Sequence, residues 1–410
     1  MTRRVPWVLF LAAGLPAACA PTEGDTVPDV RRDDGGGEAD VPTGALVPAT
    51  PPVEVHVSRD HVLGPVLLTT LSGSAAVIWG ERASDGGEWT EPGFAVLDGE
   101  GALSTAAIHL PDTGQEPVGL EPHTALRQLA YFTMHRDAAC AVTLSRRMLD
   151  TAGRITGVMT TVDTLDDPLA VHVASVAGNA VVMAVEGNAC TARLAPAARI
   201  IVVGTTGTAS GDVPLGDALR ISALTARPDG SGYMAIRDTE DGGVLIDLLG
   251  LGGGRDRGWT IVRRDGTCAC PSSRASIATG GADYLAAWAG SVDGTQSWYL
   301  HQGPYDDDLE FGADPVVAPL EAQFDRATAV AAFQGGYVVA YVPSDGSAPL
   351  RVDLLSADGT RQEGWSPELT GEVTSVAVAP IGRRIALAWV EKWAGASAPS
   401  LLKVGLFEQP

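Results

Sequence analysis

Histidines are the side chains in this sequence best suited to acid–base or metal chemistry. The seven histidines stand singly along the chain, outside any HExxH or GxSxG motif. Nucleophilic catalysis needs a serine or cysteine beside a histidine and an acid, and no spacing here predicts that they converge. We therefore interpret each histidine as a structural residue. They are His56, His61, His109, His123, His135, His172 and His301.

A run of three aspartates, Asp306, Asp307 and Asp308, is the main candidate for a cation site. Carboxylates at close spacing suit calcium, but the alternating spacing that aims successive side chains at one ion is absent. The run is therefore interpreted as a solvated loop, with a calcium site as the alternative. The glycine-rich stretch 249–258 lacks the Lys-Ser/Thr ending of a phosphate-binding loop, and no cofactor is predicted.

Cysteines offer a second set of reactive groups. Cys268 and Cys270 are two residues apart, whereas Cys140 and Cys190 are separated by 50 residues. A zinc site is poorly supported, because neither a histidine pair nor a second CxxC accompanies them. We expect two disulfides or inert thiols, and the pairing stays open because a disulfide requires Cα atoms within about 7 Å.

Composition narrows the classes of function. The 410 residues are 45% hydrophobic, which is enough to fill a large core, and they carry 50 acidic against 28 basic side chains. The formal charge of −22 argues against a phosphate-binding surface, so nucleic acid and anionic lipid surfaces are not expected partners.

The N-terminus reads MTRRVPWVLFLAAGLPAAC, with two arginines, an apolar run from Val5 to Leu15, and small residues before Cys19. It resembles the signal of bacterial lipoproteins. The resemblance implies cleavage after residue 18, a lipid on Cys19, and anchoring in the cell envelope; Ala20 implies the outer membrane. An ordinary secretory signal is the alternative. The apolar run is shorter than the roughly 20 residues that span a bilayer.

The segment 19–52 follows as a predicted flexible tether. It is rich in Pro, Gly, Asp and Thr and shows no apolar periodicity. About 30 such residues reach on the order of 30 Å, which would hold a folded domain clear of a membrane.

An internal repeat organises the rest of the chain. A short apolar strand recurs seven times, and its anchor residues are 48 to 54 positions apart. These anchors are Trp79, Tyr131, Val185, Ile236, Trp288, Tyr341 and Trp389. Each unit continues with turn residues, such as those around Gly99 and Gly153, and with further strands, and helical periodicity is absent.

Four strands per unit and seven units predict an all-β fold, a seven-bladed β-propeller of four-stranded antiparallel blades over residues 53–410. The last unit is short of an outer strand, which Val53–Val57 is placed to supply, so that an N-terminal strand closes the ring. A strand packed elsewhere is the alternative for this segment. A pair of β-sandwiches is the alternative fold.

The segment Ser291–Trp298 comes close to the Asp-box of sialidase-type propellers, which it resembles in Ser291, Asp293, Ser297 and Trp298. Thr295 replaces the glycine of that pattern, and the segment joins the second strand to the third. We interpret it as a polar turn.

These observations favour a non-catalytic, monomeric binding module that recognises an envelope protein or a glycan through loops on a rigid ring. A glycan-active hydrolase or lyase at the channel mouth is the alternative. Buried carboxylates with raised pKa values in that mouth would favour the enzyme. A purely structural role in the envelope is a third reading.

Overall fold

Each repeat of the sequence forms one antiparallel sheet, and the seven sheets follow one another in chain order in the computed structural model. The described residues run from 46 to 409, with gaps at 84–86, 112–113, 138–140, 188–196, 219–221, 240–242, 263–274, 282, 293–294, 305–315, 321, 323–327, 345–348, 357–358, 368, 370 and 394–398. Within these ranges no helix has the length and apolarity needed to cross a bilayer.

Two N-terminal strands precede the first complete blade. They are β1 (Val47–Pro48) and β2 (Val53–Ser58). Blade 1 consists of β3 (Val62–Leu71), β4 (Ser74–Arg82), β5 (Gly93–Leu97) and β6 (Leu103–His109). Blade 2 consists of β7 (Glu116–His123), β8 (Gln128–Arg136), β9 (Ala141–Leu149) and β10 (Thr160–Asp166). Blade 3 consists of β11 (Pro168–Val176), β12 (Asn179–Glu186), β13 (Ala197–Val203) and β14 (Ala209–Asp217).

The remaining four blades repeat the same order. Blade 4 consists of β15 (Ser222–Ala226), β16 (Gly232–Asp238), β17 (Val244–Gly250) and β18 (Arg255–Val262). Blade 5 consists of β19 (Ala275–Thr279), β20 (Asp283–Val292), β21 (Thr295–Pro304) and β22 (Val316–Leu320). Blade 6 consists of β23 (Ala329–Phe333), β24 (Gly336–Tyr341), β25 (Arg351–Leu355) and β26 (Arg361–Trp365). Blade 7 contributes β27 (Glu372–Ile381), β28 (Arg384–Lys392) and β29 (Ser400–Glu408).

The second strand of each blade carries the repeated anchor, which confirms the interpretation of the repeat. These strands are covered on both faces, and for this reason they read as continuous apolar runs rather than as alternating ones. Trp79 and Trp389, for example, are at most 1% exposed. The core is divided into seven apolar clusters, each filled by side chains of two adjacent blades.

The ring is closed by the predicted N-terminal strand. β2 pairs antiparallel with β29, with Val53 opposite Val404 and Ser58 opposite Ser400. Its Val55 is buried in the cluster between blades 7 and 1. The sequence places Val47–Pro48 in the tether, whereas in the structure β1 pairs with the last residues of β29. Both strands therefore cover an edge of blade 7 that would otherwise be bare.

Glycines with a positive φ lie in the hairpin turns, and one of them is two residues away from the predicted position. Gly153 has a φ of 75°, as a predicted turn glycine should. In the turn between β5 and β6 the glycine with a left-handed φ is Gly101, at 85°, and not the predicted Gly99. The carboxylate of Asp98 accepts hydrogen bonds from the backbone N–H groups of Glu100 and Ala102 in that turn.

Candidate functional site

The seam where the closing strand β2 meets blade 1 contains an open cleft of about 1050 Å³. Strand β2, which belongs to the sheet of blade 7, contacts the outer strand β6 of blade 1 at this seam. Side chains of both sheets therefore line one space. Its wall includes charged residues such as Asp60 and Glu91, together with His56, His61, Glu81, Trp89 and His109. We call this space the seam cleft.

Glu81 is the buried acid of the seam cleft. It lies near the end of β4, is 4% exposed, and its Oε1 accepts a hydrogen bond of 3.1 Å from Trp79 Nε1. Burial raises the pKa of the Glu81 carboxyl. The imidazole of His56 and the indole of Trp79 lower this pKa by a larger amount, so the net shift is downward. The cleft therefore contains a fixed negative charge.

Two histidines of the closing segment approach this carboxylate. His56 Nε2 lies 2.9 Å from Glu81 Oε1, and His61 Nδ1 lies 3.6 Å from Glu81 Oε2. The short contact of His56 falls outside hydrogen-bond geometry, and its buried Nε2 has no hydrogen-bond partner. The ring of His56 also packs on Trp79, with 5.3 Å between centroids. Strand β2 thus places an imidazole nitrogen directly beside a buried anion.

His109 completes the group from the outer strand of blade 1. Its ring meets that of His56 edge-on, with 5.6 Å between centroids, and it is exposed on the cleft side. One ligand atom each from His56, Glu81 and His109 lies within 4.8 Å of the other two. Two imidazoles and a carboxylate form a donor set that zinc and related ions accept.

An aromatic side chain forms another wall of the seam cleft. Trp89 stands beside Arg82, whose guanidinium carbon is 4.7 Å from the indole centroid. Gly80 leaves room for this ring, because a Cβ there would lie 2.5 Å from Trp89 Cζ3. The cleft therefore offers an apolar ring, imidazoles and carboxylates to one ligand.

The sequence alone predicts His56, His61 and His109 as separate structural residues, whereas the structure brings them together in the seam cleft. They lie on different elements, and only the closure of the ring brings them together. His172 and His301 are structural: His172 Nε2 is 2.8 Å from Ser222 Oγ, and His301 Nδ1 is 3.0 Å from the Tyr284 hydroxyl.

The other candidate residues from the sequence do not join this site. Cys19, Asp293 and the aspartates Asp306, Asp307 and Asp308 lie outside the described residues. The same is true of the four remaining cysteines, Cys140, Cys190, Cys268 and Cys270. Trp298 of the Asp-box-like segment is buried in β21.

Two carboxyls with raised pKa values lie elsewhere, on the inner strand β7 of blade 2. Burial raises the pKa of Glu116, and burial raises that of Glu121 to about 8 against partial compensation by hydrogen bonds from Ser175. Five residues of strand separate them, or roughly 16 Å between Cα atoms. Paired glycosidase carboxyls lie about 5–9.5 Å apart, so these two do not form such a pair.

Glu121 gives the protein a pH dependence. Its pKa in the folded state, about 8, lies above the ordinary 4.5, so its protonated form stabilises the fold below pH 4.5 and that stability is lost as the pH rises to 8. We expect Glu121→Gln to be more stable than the wild type by about 4 kcal/mol at pH 8 and equal to it near pH 4.5. Urea unfolding at four pH values measures this difference, with Glu54→Gln as the control for losing one exposed carboxyl. A difference that does not change with pH would contradict the assignment.

Comparison with known proteins places the chain by its fold. No protein-family model matches the sequence, and no curated protein matches it. The BP39L lectin from Burkholderia pseudomallei is similar in structure, with a TM-score of 0.57 and 13% identity over 85% of this chain and 99% of that one. The shared feature is the fold.

Two further solved structures align with lower TM-scores. The Dos1 propeller has a TM-score of 0.48 and 12% identity, with 90% of this chain and 97% of that chain covered. An acylaminoacyl peptidase in complex with Z-Gly-Gly-Phe-chloromethyl ketone has a TM-score of 0.49 and 10% identity over 85% of this chain. The match spans 52% of that peptidase, about half its length.

Proposed function

We propose that the protein is a non-catalytic binding module that takes a glycan in the seam cleft. The observation that carries this proposal is the cleft itself, in which Trp89 stands beside the buried carboxylate of Glu81 and three imidazoles. An indole stacks on the apolar face of a sugar ring, while carboxylates and imidazoles hydrogen-bond to its hydroxyls. The lectin activity in the name of one structural neighbour is consistent with a glycan ligand but, at 13% identity, does not argue for it.

The location we propose is the bacterial cell envelope. A lipid on Cys19 would anchor a monomer, most simply to the outer membrane, and the segment before β1 would hold the ring away from the bilayer. The acidic composition supports a partner other than nucleic acid or anionic lipid. A protein partner in the envelope is the outcome left if no glycan binds.

The hydrolase or lyase alternative has less support. A hydrolase of the usual kind needs two carboxyls that flank one substrate bond, and the raised-pKa pair on β7 is too widely spaced. The buried Asp247 and Asp353 are each committed to two arginines, and Glu391 to Lys403. These ion pairs occupy the carboxylates, which suits a rigid scaffold better than proton transfer.

A glycan panel tests the proposal. Purified protein is heated with peptidoglycan fragments and capsular oligosaccharides in EDTA, and a ligand at a hundred times its Kd should stabilise the fold by about 2.7 kcal/mol. Trp89→Ala should weaken binding of the active glycan about tenfold or more, since stacking contacts of this kind contribute about 1–2 kcal/mol. Trp393→Ala, at a 42% exposed tryptophan outside the cleft wall, is the matched control. Equal affinity of both variants would exclude the seam cleft as the glycan site.

A further inference from the structure

Two blades each bury a glutamate beside a tryptophan on their second strand. Blade 1 contains Trp79-Gly-Glu81 and blade 7 contains Trp389-Val-Glu391 at corresponding places on their second strands. In each, the indole Nε1 donates to the glutamate Oε1, at 3.1 Å and 3.0 Å. Both carboxylates are buried, at 4% and 0% exposure. The two blades therefore bury the same anion in the same way.

The two anions differ in their counter-charge. In blade 7, Lys403 on the third strand lies opposite Trp389, and its Nζ is 2.8 Å from Glu391 Oε1. The residue opposite Trp79 in blade 1 is Gly93. A Cβ on Gly93 would lie 2.0 Å from Trp79 Cε2, so no lysine can take this place.

Glu81 is thus left with imidazoles where its counterpart has a permanent cation. Its ion-pair contacts among the described residues are with His56 and His61. A buried carboxylate requires a compensating positive charge. A metal ion would supply that charge and would also take the lone pair of His56 Nε2, which has no hydrogen-bond partner.

We propose that His56, Glu81 and His109 bind a divalent metal ion such as zinc. Two nitrogen donors and one carboxylate favour zinc, cobalt or nickel over calcium and magnesium, which prefer oxygen ligands alone. A tetrahedral zinc ion with bonds of about 2.1 Å needs ligand atoms about 3.4 Å apart. The three ligand atoms lie within 4.8 Å of one another, and a zinc ion requires His109, the exposed member, to approach the other two. His61, water or a bound ligand takes the fourth position.

The site would link the sheet of blade 7, through its strand β2, to the sheet of blade 1. His56 lies on the closing strand β2, whereas Glu81 and His109 lie on β4 and β6 of blade 1. An ion held by all three adds a bond between the closing strand and the first blade. This inference does not rest on glycan binding, because the metal titration contains no glycan and the glycan panel is run in EDTA.

The test is zinc binding by the purified protein after its free thiols have been blocked with iodoacetamide. We expect one zinc ion per chain at equilibrium dialysis and a rise in Tm of about 3 °C at a hundred times the Kd. Cobalt in the same site should give the intense visible absorption of a tetrahedral complex. These three readouts report binding without any assay of activity.

Variants assign the ligands. His109→Ala and His56→Gln should each weaken zinc binding at least tenfold and remove the cobalt bands, whereas His135→Ala, an exposed histidine of β8, should bind as the wild type does. His109 is exposed, so its replacement is expected to fold, and circular dichroism checks this. Wild-type protein that binds no zinc overturns the proposal, and so does zinc binding that is unchanged in both ligand variants.

Discussion

A protein that lacks residues 46–58 is expected to lose most of its stability. The deletion removes β1 and β2, exposes the edge of β29, and takes Leu46 and Val55 out of two apolar clusters. The lost strand pairing and the two buried side chains together contribute roughly 5 kcal/mol or more, which is comparable with the whole stability of many domains. Thermal unfolding followed by circular dichroism should show a fall in Tm of more than 5 °C.

A deletion of residues 20–45 is the matched control for this experiment. It removes about twice as many residues but stops before Leu46 and β1, so the Tm should stay within about 1 °C of the wild type. If the deletion of 46–58 also left the Tm unchanged, the N-terminal strands would not be what closes the ring.

Asp353→Ala is the single substitution expected to lower the free energy of unfolding most. The carboxylate is fully buried and accepts hydrogen bonds from the Tyr341 hydroxyl at 2.8 Å, from Arg361 Nε at 2.6 Å and from Arg351 Nε at 3.1 Å. Removing it takes from Arg351 and Arg361 the carboxylate that they share, and from the buried Tyr341 hydroxyl its acceptor, which costs about 3–5 kcal/mol. The free energy of unfolding in urea measures the loss.

An exposed ion pair provides the comparison for Asp353. Arg154 is 81% exposed and pairs with Asp150, so Arg154→Ala should cost less than about 1 kcal/mol. If the two variants were equally stable, the buried network of blade 6 would not stabilise the fold as described.

The fold was predictable because its signal is local and repeated. Trp79, Tyr131 and Trp389 stand at one place in successive units, and two-sided burial makes the strands around them apolar throughout. The missing outer strand of the last unit likewise identified Val53–Val57 as its replacement. What the pattern could not give is the extra pairing of Val47–Pro48, which are too few residues to show any alternation.

The seam cleft was missed because its residues belong to two different sheets, those of blade 7 and blade 1. His56, Glu81 and His109 are spread over more than 50 residues and three strands, and no motif spacing connects them. A signal did exist: once β2 is the outer strand of blade 7, it must border the outer strand of blade 1. The substitution of Gly93 for the lysine found at Lys403 was a second signal, visible only when blades 1 and 7 are aligned.

Hydrogen exchange with and without the active glycan tests the central claim, that the seam cleft is the binding site. Binding there should slow exchange in Val53–Ser58 and in the backbone around Glu81 and Trp89, and should leave the inner strand β7 unchanged. Protection confined to β7 and the other inner strands would instead place the ligand in the central channel and contradict the account.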